Sequence, residues 1–169
     1  ELLEHNPEAQ RDLIEFRHTL EGSCAYYAAL RATEPDRTRL KTAFERVQDS
    51  YLRQGRISRA EEGRNDALFH LAIAEASHNA VLLHTIRSLF ALLERNVVTN
   101  IGGMYPQGGE IRDKLLGQHE ALYRAIMDRR ADDARQIAGE HMDFVQEVLA
   151  QTQDEARRIE RANRRRAPA

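Results

Sequence analysis

Apolar residues recur along this chain every three to four positions, the period of an α-helix that buries one side. In the first such stretch, about Glu8 to Arg31, Leu13, Phe16, Leu20, Cys24 and Tyr27 share a face. Arg17 lies inside that stripe rather than opposite it. Residues 1–10 are polar and hold Pro7, which reads as a lead-in linker. Thr33-Glu34-Pro35-Asp36 combines a capping hydroxyl, an early proline and an acid three residues on, which marks a helix start. That second helix runs to about Gln54 with Leu40, Phe44, Val47 and Tyr51 inward, and Gly55 ends it. Ser58-Arg59-Ala60-Glu61 opens a third helix, which stops near Asn79.

A fourth helix, about Ala80 to Asn100, places Leu82, Ile86, Leu89, Phe90, Leu93 and Val97 on one face. Gly102-Gly103 and Pro106-Gln107-Gly108-Gly109 mark the longest loop. A fifth helix covers about Glu110 to Arg129 and a sixth about Asp132 to Arg161. Residues 162–169 continue an arginine-rich tail, read as a flexible, solvated end with a weak case for lying near DNA phosphates. The prediction is an all-α antiparallel bundle of six or seven helices, one domain over residues 1–169.

Composition narrows the class without changing this picture. At 169 residues, 41% hydrophobic and 31% charged, the chain suits one core of ordinary size. A formal charge of −2 does not mark a dedicated nucleic-acid binder. No apolar run of about 18 residues predicts a membrane span. One cysteine, Cys24, excludes an intrachain disulfide and fits a reducing cytoplasm. The chain begins at Glu1 rather than Met, as a piece of a longer protein would.

The polar residues on the wrong side of the helices carry the chemistry. Asp66 and His70 are one turn apart on the third helix, on the side that also carries Phe69, Ile73 and Ser77. A carboxylate placed there needs compensation, and a divalent cation suits an Asp/His pair at that spacing. Among seven histidines, His119 falls inside the fifth helix's stripe with Leu115, Leu122, Tyr123 and Ile126. His141 falls inside the sixth helix's stripe with Ala134, Ile137, Phe144, Val145 and Val148. His18, His78 and His84 project away from their stripes. One inward histidine is more often a hydrogen-bonded core residue than a ligand. Three of them plus Asp66, on three helices, favour a metal site in the bundle core.

These residues also carry a resemblance. Asp12-Leu13-Ile14-Glu15-Phe16-Arg17, Phe69-His70-Leu71-Ala72-Ile73-Ala74-Glu75-Ala76-Ser77-His78-Asn79 and His119-Glu120-Ala121-Leu122-Tyr123-Arg124-Ala125-Ile126 span most of the chain. With Asp66-x3-His70 completed by His119 and His141, they resemble the effector-binding C-terminal (FCD) domain of FadR-branch GntR-type bacterial transcription regulators. Regulators of lactate utilisation are the nearest in pattern, with glycolate and pyruvate dehydrogenase complex regulators beside them. The resemblance implies a homodimer and a winged-helix DNA-binding domain that would precede Glu1, to which DNA binding would belong. It implies no enzymatic activity.

Asp66 and three neutral imidazoles around a divalent cation leave a charge near +1, which attracts a small anion in a low-dielectric pocket. The ligand set suits zinc first, and also nickel, manganese or iron(II). With five or six coordination positions, a 2-hydroxy acid such as lactate can chelate through carboxylate and hydroxyl; glycolate and pyruvate are close in chemistry. Arg17 is placed to fork onto the effector carboxylate, with a salt bridge to a neighbouring helix's acid as the competing reading. Tyr123, Asn96 and Asn100 are weaker effector candidates. A metal-dependent hydrolase would need a general base beside the site, yet Glu120 and Glu140 point elsewhere on their helices. A helical interaction module without metal is the other alternative.

Overall fold

The fold is that of a computed structural model describing residues 6–53, 58–89 and 109–166. Among these residues there are six helices and no strand. They are α1 (Pro7–Arg31), α2 (Glu34–Leu52), α3 (Arg59–Ala76), α4 (80–89 as described), α5 (Gly109–Met127) and α6 (Ala131–Arg166). The fourth helix beyond 89, with Phe90, Leu93 and Val97, and the glycine-rich loop to 108 lie outside the described residues.

Local chemistry explains several ends. Asn6 Oδ1 accepts the amides of Glu8 and Ala9 at 3.0 and 3.2 Å, with Pro7 in the first turn. Residues 7–10 are therefore helix rather than linker, because proline fits a first turn whose amide needs no partner. Thr33 and Asp36 form a complete capping box, and Ser58 Oγ accepts the Glu61 amide at 3.1 Å. The sixth helix runs five residues past Arg161, since no breaker intervenes before Pro168 and Arg164 pairs with Glu160 at 2.5 Å. Residues 162–166 of the expected tail are thus helical, and residues 167–169 lie outside the described residues.

Side-chain pairs set the directions. Gln10 meets Gln153 at 2.7 Å and His18 lies 3.6 Å from Asp143, so α1 and α6 run antiparallel. The α2–α3 pair is antiparallel through Ser50–Asn65 and Asp36–His78. Lys114 lies over Phe144 and Gln118 meets His141, which makes α5 and α6 antiparallel. The main core gathers Cys24, Ala25, Leu40, Val47, Phe69, Ile73, Ile86, Leu122 and Ile126, and a smaller one gathers Ile14, Leu115, Met142, Val145 and Val148. Phe16 corrects the predicted stripe of α1: it is 46% exposed, while Ile14 is 1% exposed. The buried face of α1 is rotated toward Ile14, Arg17, Glu21, Cys24 and Ala28, so it includes two charged residues.

Asp36 ties two junctions together. Its carboxylate accepts from the Thr33 amide at 2.9 Å and the Thr33 hydroxyl at 2.5 Å, pairs with Arg39, and meets His78 Nε2 at 2.6 Å. His78 sits in the left-handed region (φ 49) between α3 and α4, where a side chain needs an anchor. Burial opposes ionisation of Asp36, but the Thr33 hydrogen bonds and His78 outweigh it and bring the carboxyl down to about 2. Because this pKa is depressed, the associated stability is present above the ordinary carboxylate range and is lost as pH falls through about 2. Asp36→Ala is expected to cost about 2 kcal/mol at neutral pH, roughly a cap plus a charge-assisted bond. Urea unfolding at pH 7 and pH 3 checks it: the deficit shrinks at the lower pH, and an equal deficit at both would refute the assignment.

Candidate metal centre

Four inward side chains from three helices meet halfway along the bundle. Asp66 and His70 come from α3, His119 from α5 and His141 from α6, and they are 6, 4, 1 and 3% exposed. One donor nitrogen from each imidazole lies within 4.8 Å of the other two. The rings of His119 and His141 are 4.6 Å apart, and those of His70 and His141 stack at 5.5 Å. Asp66 reaches toward both neighbours, with Oδ1 3.1 Å from His119 Nε2 and Oδ2 3.7 Å from His70 Nε2. Phe69 is fully buried and presents its edge to His70 and His119, which holds the two rings from behind.

The donor atoms face one another without bonding one another. His70 Nε2 and both His119 nitrogens are buried with no hydrogen-bond partner. His119 Nε2 is close enough to Asp66 Oδ1 for a hydrogen bond, but the ring N–H does not point along that line. Leaving such groups unpaired costs about 1–3 kcal/mol each. Donors about 2.1 Å from a common ion stand roughly 3.0–3.4 Å apart when adjacent. The Asp66–His119 distance falls in that range. The Asp66–His70 distance of 3.7 Å and the histidine donors, within 4.8 Å of one another, are wider, so the residue types suit a divalent cation once the side chains draw inward.

A second layer orients the rings. His70 Nδ1 meets Glu21 Oε2 at 2.6 Å, and the other Glu21 oxygen accepts from Arg17 Nε at 2.7 Å. His141 Nδ1 meets Gln118 Oε1 at 3.1 Å. A carboxylate or amide oxygen at Nδ1 places the proton there and leaves the Nε2 lone pair for a cation. Burial opposes charge on His70, yet Glu21 outweighs it and raises the His70 pKa. At His141 burial, with the facing His119 and His70 rings, pushes the pKa well down. Burial also opposes the Asp66 charge, but the surrounding histidines hold its carboxyl well below the usual range.

Arg17 is buried as its position in the stripe indicated, at 3% exposure. Its acid is Glu21, one turn along the same helix, rather than an acid on a neighbouring helix. Tyr123 is half-buried with its ring stacked on Phe44 at 4.6 Å. Asn96 and Asn100 lie outside the described residues. Glu120 pairs with Arg124 and Glu140 with Gln136 on the outer surface, so neither turns toward the histidines. Residue-by-residue reading missed Glu21, Gln118 and a second buried network, in which Arg112 pairs with Glu62 at 3.1 Å and lies over Tyr51. Tyr51 in turn sets its ring edge-on to His119. The available signals were spacings: Glu21 follows Arg17 by four, and Glu62 precedes Asp66 by four.

The family described as FCD domain matches residues 12–144, a span that holds all four candidate ligands and Arg17. The chain belongs to this family. Two curated relatives extend the likeness of this FCD domain. It is 33% identical over 165 residues to the putative L-lactate dehydrogenase operon regulatory protein of Escherichia coli, covering 96% of the chain and 60% of that protein. It is 31% identical over 148 residues to the Glc operon transcriptional activator of the same organism, covering 88% and 58%. The FCD domain thus spans about three-fifths of these relatives, which are named as regulators and not as enzymes. Its fold is similar to a crystal structure of a GntR-family transcriptional regulator from Pseudomonas syringae. That match has a TM-score of 0.67 at 18% identity, over 89% of this chain and 59% of the other.

Proposed function

We propose that this FCD domain is the metal-dependent carboxylate sensor of a cytoplasmic, dimeric transcription regulator whose DNA contacts are made chiefly by a separate winged-helix domain. The observation that carries the reading is the set of convergent, buried and unpartnered donors on His70 and His119 beside the Asp66 carboxylate. Asp66, His70, His119 and His141 would hold the ion, zinc foremost. A bound divalent cation supplies positive charge and any open coordination position to a small acid. The Arg17–Glu21 pair is close to neutral, so the cluster with its ion stays near +1 and favours a monoanion.

A 2-hydroxy acid of the lactate class matches in size and in having two adjacent oxygen donors. The names of the lactate and Glc operon relatives lean the same way. Arg17 borders this acid through its guanidinium nitrogens other than Nε, which Glu21 occupies. Signalling then requires only that the acid bind one arrangement of α1, α3, α5 and α6 more tightly than another.

Elemental analysis of the purified chain, then thermal shifts with lactate, glycolate and pyruvate before and after chelation, test the proposal. About one equivalent of metal is expected. A saturating acid should raise stability by about 2–3 kcal/mol when present near 100 times its Kd. The shift disappears after chelation and returns with zinc. A chain that takes up no metal, or an acid shift indifferent to chelation, would overturn the reading. Arg17→Ala should weaken the acid at least tenfold with metal content intact, and an unchanged acid affinity would remove Arg17 from the site.

A further inference from the structure

The last third of α6 carries a charge pattern that the sensor does not use. Over the bundle, the solvent side of α6 is acidic, with Glu140, Asp143, Glu147 and Asp154 exposed. From residue 157 the same side turns basic, with Arg157, Arg158, Arg161 and Arg164 exposed. At about 100° per residue these four arginines share roughly 120° of the helix surface. Solubility alone needs no such change of sign. Favourable charge at a helix C-terminus accounts for arginine in the last turn only, and Arg157, Arg158 and Arg161 lie before it.

The sign changes where the bundle ends. Gln153 is hydrogen-bonded to Gln10 near the start of α1, and α1 begins three residues before Gln10. Antiparallel to it, α6 continues to Arg166, so residues 157–166 form an arm of about 15 Å beyond α1. This stretch contains six arginines and one acid, Glu160. The local pairs are weak competitors: Arg157 is 3.6 Å from Asp154, and Arg164 pairs with Glu160 while 77% exposed. The arm also lies past residue 144, where the family match stops.

We infer that this arm binds the phosphate backbone of double-stranded DNA. Phosphate recognition needs fanned guanidinium groups without sequence readout, which is what an exposed one-sided arginine stripe provides. A lipid surface suits it less, because Ile159 is the one large apolar side chain among residues 157–166 and insertion needs an apolar face. The inference rests on the reading of the whole protein as a DNA-binding regulator, with the chain entering α1 beside the root of the arm. The arm would add contacts that strengthen binding at any sequence.

Anisotropy of a labelled duplex of arbitrary sequence, titrated with the 169-residue chain at about 20 mM salt and then at rising salt, tests this. Wild type is expected to bind with log affinity falling against log salt at a slope near −3 to −4, as for about four neutralised phosphates. The R158E/R161E variant should bind at least tenfold more weakly with a flatter slope and an unchanged melting temperature, and so should a chain ending at residue 156. No salt-dependent binding by wild type, equal binding by the variants, or tighter binding to phosphatidylserine vesicles than to DNA would overturn the inference. Metal content and the lactate shift are measured on the same samples. A chain that holds metal but ignores DNA loses the arm and keeps the sensor, and the reverse outcome loses the sensor alone.

Discussion

His119→Ala is expected to abolish tight metal binding and to lower the melting temperature of the metal-loaded chain by roughly 10 °C. His119 stands at the centre of the cluster, 1% exposed, between Phe69, Tyr51, His70, His141 and Asp66. Removing its ring opens a buried cavity, deletes one donor and leaves Asp66 without its nearest neighbour in the cluster. Together these losses amount to about 3–4 kcal/mol, and for a domain of this size each kcal/mol moves the midpoint by roughly 2–4 °C. Calorimetry of wild type and variant with and without chelator separates the contributions. Chelation should lower the wild-type midpoint by most of the gap and barely move the variant. If chelation lowers both by the same amount, His119 is a packing residue and the metal, if any, sits elsewhere.

Glu21→Ala is expected to cost about 3–5 kcal/mol, because it strands the Arg17 guanidinium in the interior with no counter-charge. The same substitution removes the acceptor that fixes the His70 ring, which should weaken metal binding about 10–100-fold. Stability and metal affinity are separable here. Arg17→Met combined with Glu21→Leu replaces the buried pair by apolar groups of similar volume and should recover most of the stability. It should not recover metal affinity, since His70 Nδ1 still lacks its partner. Denaturant unfolding and competition with a chromophoric chelator give the two readouts. Recovery of metal affinity in the double variant would show that Glu21 matters only as the partner of Arg17.

Much of the bundle was readable from residue order because its signals are local. Capping at Thr33 and Ser58 needs only residues within one turn, and both caps are present. The inward placement of Asp66, His70, His119 and His141 follows from the helical period on each helix separately. The rule fails where the stripe is broad: the period of α1 pointed to Phe16, and packing against α6 buried Ile14 instead. It also placed the sixth helix's end five residues early, because a run of arginines has nothing in it to stop a helix.

Sequence by itself determined six helical segments, the capped starts at Thr33 and Ser58 and the burial of four potential ligands, since propensity, capping and period act within a few residues. Tertiary structure alone decided that the ligands sit at one level, because that depends on how far each helix slides along its neighbours. The same sliding put Glu21 against His70 and Gln118 against His141, across separations of 49 and 23 residues that no local rule spans.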